Sequence, residues 1–327
     1  MRKGRLATLV AIALAIGVTA CGDDASKSSS SGGAGGSEVT TLKIGLIPIT
    51  PVAPVYLGIK KGFFAQEKLK VEPQLAQGGA AIVPAVQSGD QQIGFSNSVS
   101  LMIAQTRGLP VKVVAPGEIS PTDPKDDNSA LMVPKDSDIK SAKDMEGKKI
   151  GVNTLKNIAG LTIEASLAKE GVDPKSLKLV EVPFPEMQKA VEGGRIDVGF
   201  FNEPFTSQAE GAGARSIVKP YTATAPDLPI APYFAMADWI EENKDALARF
   251  QRAMKKSTQY AIDHPDELRQ VITEYTQIPP EAAEKIRLPN LGTELDPAQF
   301  EVLAGLVQKL GYTEEKPDVS QLVVAAG

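Results

Sequence analysis

Histidine and cysteine supply many of the nucleophiles, proton shuttles and metal ligands of proteins, and this 327-residue chain has one of each. His264 lies in Asp263-His264-Pro265-Asp266, away from any serine or carboxylate motif, which leaves no basis for a Ser-His-Asp triad or a two-histidine metal site. Cys21 alone forms neither an internal disulfide nor a cysteine-cluster metal site. What remains is a set of hydrogen-bonding residues placed before helices: Ser96-Asn97-Ser98, Asn153-Thr154 and Asn202-Glu203, together with Gly78-Gly79. Amides, hydroxyls and backbone N–H groups at helix starts hold a ligand rather than transform it. Binding without catalysis, cofactor or metal is therefore expected. The composition, 42% hydrophobic and 23% charged, is that of a soluble globular protein, and a net charge of −5 argues against a nucleic-acid partner.

An internal repeat shows what must position these residues. Lys43-Ile44-Gly45-Leu46 returns 106 residues later as Lys149-Ile150-Gly151-Val152. The thirteen residues from Ala85 to Asn97 return, displaced by 105, as Ala190 to Asn202, with six identities. Either short apolar words match by chance, or two lobes carry the same order of elements. On the second reading, lobe one has strands at 42–47, 70–75 and 92–95 and helices near 52–61 and 80–88. Lobe two has strands at 149–153, 178–182 and 197–201 and helices near 159–169 and 185–192. Gly62 and Gly171, just past two of the helix ends, suit the C′ position because glycine takes φ > 0 without steric cost. The alternation predicts an α/β fold with two mostly parallel sheets flanked by helices.

Aperiodic, proline-rich stretches at 115–128 and 219–232 read as two crossings between the lobes. A strand at 233–237 returns to lobe one, and helices near 238–263, 265–275, 279–286 and 297–310 pad it. The expected division is lobe one at 42–117 plus 229–327 and lobe two at 128–219.

In open α/β sheets, ligands bind beyond the carboxyl ends of the strands. Two lobes on two crossings face those ends across one cleft. The candidate contacts in lobe one are Thr50, Val52, Gly78, Gly79, Ser96, Asn97 and Ser98. Lobe two offers Asn153, Thr154, Phe184, Asn202 and Glu203, and the returning strand offers Tyr233. Asn97 and Asn202 are equivalent in the repeat, and each either caps the next helix or reaches a ligand. Gly78-Gly79 either makes a turn or lets backbone N–H groups approach a ligand oxygen.

The cleft loops carry one base, Lys156, and two acids, Glu186 and Glu203, too little positive charge for a multiply charged phosphate. Ile47, Ile49, Val52, Leu155, Ile158, Phe184, Phe205, Tyr221, Tyr233 and Phe234 divide between core packing and an apolar or aromatic ligand body. Helix starts, few bases and apolar neighbours suit a small organic anion, a sulfonate or carboxylate. Glu203 directed into the cleft would favour an amine or a ring N–H donor instead, which makes a heterocycle the alternative.

The N-terminus is an address. Arg2, Lys3 and Arg5 precede an apolar run from Leu6 to Val18, too short to span a membrane and suited to a signal-peptide core. Val18-Thr19-Ala20-Cys21 looks like a bacterial lipobox, which implies cleavage after residue 20 and lipidation of Cys21; an ordinary signal peptide with an incidental cysteine is the other reading. Loss of residues 1–20 removes three bases and no acid, taking the net charge to −8. Residues 21–41 then form a lipidated cysteine and a Gly/Ser-rich tether without a core-forming residue until its end.

Several stretches together look like the nitrate, taurine and sulfonate type of substrate-binding protein of ABC importers, which is also similar to binders of thiamine pyrimidine precursors and of riboflavin. They are LKIGLIPITPVAPVYLGIKKGFFAQEKLKVE, GDQQIGFSNSVSLMIAQTRGLPVKVVA, DMEGKKIGV and GGRIDVGFFNEP, with Gly62-Phe63-Phe64, Gly94-Phe95 and Glu203-Pro204 as the firmest marks. The resemblance implies a two-lobed, type II periplasmic-binding-protein fold. It implies a monomeric receptor at the outer face of the cytoplasmic membrane that closes on its ligand and delivers it to permease and ATPase subunits. A thiamine-type pyrimidine or riboflavin-like heterocycle, or a ligand-sensing lipoprotein that feeds no importer, are the alternatives. A fungal pyrimidine synthase is similar to this family, but that activity is associated with an active-site histidine and a cysteine-rich motif, whereas here the single Cys21 is expected to be lipidated and the single His264 lies in the C-terminal helices.

Overall fold

The computed structural model describes residues 39–276 and 278–324; the expected signal segment, Cys21 and most of the expected tether lie outside the described residues. Ten strands follow one another: β1 (Thr40–Leu46), β2 (Leu69–Leu75), β3 (Ile93–Phe95), β4 (Val111–Ile119), β5 (Ser129–Val133), β6 (Lys149–Val152), β7 (Lys178–Glu181), β8 (Val198–Asn202), β9 (Arg215–Val218) and β10 (Pro229–Met236). They form two five-stranded sheets, ordered β2-β1-β3-β10-β4 and β7-β6-β8-β5-β9. In each sheet one strand, β10 or β5, runs antiparallel to both neighbours, and the other four share a direction. Strands buried on both faces need apolar residues in unbroken runs, and β3, β5, β8 and β10 are buried along their whole length.

The repeat has a packing cause. Ile44 pairs with Ile93 and Gly45 with Gly94 in the first sheet; Ile150 pairs with Val198 and Gly151 with Gly199 in the second. A Cβ at Gly94 would stand 2.6 Å from the Ile82 side chain, and one at Gly199 2.9 Å from that of Val191. Ile82 belongs to the helix Gly79–Gln87 and Val191 to the helix Phe184–Glu192. In both sheets a helix thus rests directly on a strand that has no side chain at the contact.

Two expectations about the crossings need correction. The stretch from 115 is strand as far as Ile119, so the first crossing is 120–128. The second contains the helix Pro220–Thr224, and β10 begins at Pro229 rather than at 233. Proline argues against a central strand because it lacks a ladder donor; β10 accommodates Pro229 and Pro232 through register shifts against β4 around Ala231. The crossings are bonded to each other: the Ser120 hydroxyl donates to the Ala225 carbonyl at 2.7 Å and accepts from the Leu228 N–H at 2.8 Å.

The expected helix near 238–263 is two helices, Ala237–Glu242 and Lys244–Asp263, separated at Asn243. The longer one turns Leu247, Phe250 and Met254 inward at helical spacing while Ile262 stays exposed. Arg249 from the same helix donates to the Glu67 and Lys68 carbonyls, both at 3.2 Å, and ties it to the start of β2. Phe250→Ala removes a fully buried ring that stacks with Phe64 and meets Tyr233 edge-on. It is expected to cost about 3–5 kcal/mol in denaturant unfolding; a loss below about 1 kcal/mol would show that this helix is not part of the cooperative core.

Candidate binding cleft between the sheets

Residues at or just beyond the carboxyl ends of β1, β3, β6 and β8, from both sheets, line one cavity of about 30 Å³. Three helix starts reach it: Gly79 opens Gly79–Gln87, Asn97 caps Ser98–Thr106, and Asn157 caps Ile158–Lys169. Asn97 answers the question left by the sequence. Its Oδ1 accepts from the Ser100 N–H at 2.9 Å, as a cap, and from the Ile158 N–H at 3.1 Å, across to the helix packed on the other sheet. Asn157 Oδ1 accepts from the Gly160 N–H at 3.1 Å, and its amide donates to Asn153 Oδ1 and Thr154 Oγ1, both at 2.9 Å. Asn202 is no cap. Its amide donates to the Tyr221 hydroxyl at 3.3 Å, and its Oδ1, buried on the cavity wall, has no partner.

Glu118 also lines the cavity, 3% exposed on β4. It accepts a short hydrogen bond from the Asn128 amide. Burial pushes its carboxyl up to about 8, with Asp127 adding to the rise and the Asn128 bond opposing it. Phe184, Phe200 and Tyr221 form the aromatic side, with Phe184 to Phe200 at 6.3 Å and Phe200 to Tyr221 at 5.9 Å between centroids. Among the described residues, no lysine, arginine or histidine lines this cavity. Its volume suits only about one or two waters, so a ligand of several heavy atoms requires the lobes to part.

Of the expected contacts, Gly79, Asn97, Asn153, Phe184 and Asn202 line the cavity. Gly78 and Thr154 instead meet each other beside it: a Cβ at Gly78 would lie 3.2 Å from Thr154 Cγ2. Ser96 packs under Gly79, where a Cβ would come within 2.3 Å of its hydroxyl. The hydroxyls of Thr50, Ser96 and Ser98 are buried without partners. The Thr50 N–H donates to the Glu203 carbonyl at 3.2 Å, and Val52 is core. Tyr233 packs edge-on against Phe95 at 5.2 Å and does not line the cavity, because its position on β10 faces the helix that carries Phe250.

Glu203 is the clearest correction. Its carboxylate does not line the cavity; it accepts from the Ser207 N–H and hydroxyl and from the Arg287 N–H and guanidinium. It has no free face for a ligand amine. Lys156, the one base of the loops, lines a separate open groove of about 750 Å³ with Arg107 and Glu164, and Leu155 is 48% exposed there. Sequence reasoning missed Glu118 and did not single out Asn157. A lone acid in the apolar run VKVVAPGEI was the available signal for Glu118. Among the described residues, no group of three or more His, Cys, Asp or Glu is placed to hold a metal ion.

Two sheets with one reversed strand each, two crossings and a cavity at the facing strand ends define the two-lobed fold of periplasmic binding proteins. A family model described as "NMT1/THI5 like" matches residues 49–268, and the chain belongs to that family. It is similar to the taurine-binding periplasmic protein of Escherichia coli (strain K12), at 26% identity over 220 residues, 66% of this chain and 66% of that protein. It is similar to the formylaminopyrimidine-binding protein of Halalkalibacterium halodurans, at 25% over 224 residues, 67% and 64% of the two. Each match therefore spans about two thirds of the relative's length. The alkanesulfonate-binding protein SsuA from Xanthomonas axonopodis pv. citri, bound to MOPS, has the same fold, with a TM-score of 0.75 at 16% identity over 89% of this chain and 100% of that one. An enzyme also stands among the relatives: the 4-amino-5-hydroxymethyl-2-methylpyrimidine phosphate synthase of Aspergillus parasiticus, 23% identical over 226 residues, 65% of this chain and 64% of the enzyme.

Proposed function

We propose that this chain is the substrate-binding component of an ABC importer, tethered through a lipid on Cys21 to the outer face of the cytoplasmic membrane, and that its ligand is a small nitrogen-containing heterocycle. The receptor role is supported by the family and by a cavity that only hinge opening can fill. The permease and ATPase subunits are the partners this role requires. Among the described residues no helix is long and apolar enough to cross a membrane. The observation that carries the ligand class is the wall of the cavity, where amides, a phenol, a carboxyl and aromatic rings meet and, among the described residues, no cationic side chain joins them. An enzyme is not favoured, because His264 does not line this cavity: its ring stacks on Tyr260 with centroids 3.8 Å apart and bonds the Tyr260 carbonyl.

A second reading, an organic sulfonate or carboxylate, is favoured by the three helix starts at Gly79, Ser98 and Ile158, whose partial positive charge suits one negative charge. Thermal unfolding of the protein against nitrate, taurine, alkanesulfonates, aromatic carboxylates, 4-amino-2-methylpyrimidine and riboflavin separates the readings. A ligand at 100 times its dissociation constant stabilises by about 2.7 kcal/mol, a rise of a few degrees for a body of this size. A shift with the nitrogen heterocycles alone is expected. A shift with the sulfonates alone would overturn the ligand class and leave the receptor role; no shift with any member would count against the receptor role.

A further inference from the structure

Glu118 is a buried carboxyl that, among the described residues, no cationic side chain pairs with. From β4 it faces Asn128, whose amide is its one donor among the described residues. Asp127, on the crossing behind it, is a second buried acid, with its carboxylate held by Ser129 and by Thr222. The Lys219 amine goes to the Asp127 carbonyl at 3.2 Å rather than to either carboxyl. Tyr221, from the helix Pro220–Thr224, presents its phenol to the same cavity. On its other side Glu118 lines a second cavity of about 170 Å³, whose wall carries Asp227, Glu294 and Asp296. Among the described residues, every charged side chain that faces Glu118 across these two cavities is thus acidic. In the cleft itself the unpartnered Asn202 Oδ1 adds another acceptor without a donor.

We infer that Glu118 is the specificity-determining residue of the cleft, and that the ligand carries a positive charge on an N–H donor which takes the place of the proton on Glu118. The inference rests on the receptor reading and narrows its ligand from heterocycles in general to those bearing a cationic N–H. On binding, the O–H bond of the Glu118 carboxyl breaks and its proton leaves to solvent buffer. The carboxylate then accepts the ligand's N–H, and no other bond changes. Before binding, burial keeps that carboxyl protonated at neutral pH. A carboxylate facing a cation inside a closed cavity gains far more than the same pair in water. An anionic ligand would meet the same wall as repulsion above the carboxyl's titration.

The test is calorimetric titration of the full-length protein with acetamidinium and benzamidinium, with methanesulfonate as the anionic control, in buffers of differing ionisation enthalpy. The amidinium probes are expected to bind with release of close to one proton at pH 6.5, and to tighten about tenfold for each pH unit between 6 and 8. Glu118→Gln is expected to abolish the proton release and weaken amidinium binding at least tenfold. Proton release by the unaltered protein is read without any variant, so a folding defect in Glu118→Gln cannot hide the answer. Amidinium binding without proton release, or unchanged in Glu118→Gln, overturns the inference. Failure of both amidinium probes also overturns it. If the wider panel still shows a neutral or anionic ligand, only the choice of a cation falls and the receptor role stands.

Discussion

Glu118→Gln is expected to leave stability near pH 4.5 almost unchanged and to raise it by a few kcal/mol near pH 9. The folded-state carboxyl lies at about 8, against an ordinary value of 4.5. A raised value means that the group's favourable contribution is whole below its unfolded-state titration and is lost as pH climbs to the folded-state one. Each pH unit in that window costs about 1.4 kcal/mol, because the chain must either hold the proton or ionise a carboxyl that has no cation beside it. Glutamine fills the same space, keeps an oxygen for the Asn128 amide and does not titrate. Denaturant unfolding at several pH values from 4.5 to 9 should show the two proteins diverging steadily with pH. Parallel curves would mean that Glu118 is ionised throughout and that some unseen donor compensates it.

Arg287→Ala is expected to cost about 3 kcal/mol at neutral pH, because it leaves a fully buried carboxylate short of its charged partner. The guanidinium lies 3.3 Å from Glu203 Oε1 and pairs with both oxygens of Glu210, at 3.0 and 3.1 Å. Glu203 follows β8 of the second sheet. Arg287 belongs to a segment bonded to the first, through Ile119 N–H to the Asn290 carbonyl at 3.0 Å and Gly292 N–H to the Gly117 carbonyl at 2.8 Å. The pair therefore joins the two lobes in this closed arrangement, together with the Thr50 to Glu203 backbone bond.

Burial raises the Glu203 carboxyl while Ser207 and Arg287 hold it down. Removing the guanidinium must raise it further, so the defect in Arg287→Ala should grow with pH and shrink toward acid, where Glu203 is neutral. Adding Glu203→Gln to Arg287→Ala should restore most of the loss, since the buried charge is then gone. Equal defects at pH 5 and pH 8, with no rescue by the second substitution, would show that Arg287 acts by packing alone.

Glu203 shows where reading the sequence stopped. Its place at the carboxyl end of β8, next to a cleft asparagine, made it a candidate for a ligand amine, and nothing local distinguishes that role from an ion pair. Its partner stands 84 residues further along the chain. Asn97 and Asn202 illustrate the same limit, because the repeat makes them equivalent while the fold does not. Asn97 has a helix start of the other lobe within 3.1 Å; Asn202 has a tyrosine from the second crossing at 3.3 Å.

The sequence by itself determined the order of three strands and two helices in each lobe and where those strands end, while β4, β5 and β9 were not legible in it. Periodicity and φ requirements are local, and the repeat states them twice. It also singled out asparagines, glycines and aromatic residues near the strand ends, of which Gly79, Asn97, Asn153, Phe184 and Asn202 line the cavity. The tertiary structure alone decided that Glu118 lines the cavity, that Glu203 turns away to Arg287, and that β10 runs centrally despite two prolines. Those outcomes depend on which distant residue arrives to desolvate or pair a group. That is fixed by how the sheets and crossings pack, because a carboxylate's role follows from its burial and its partners, neither of which its neighbours in sequence specify.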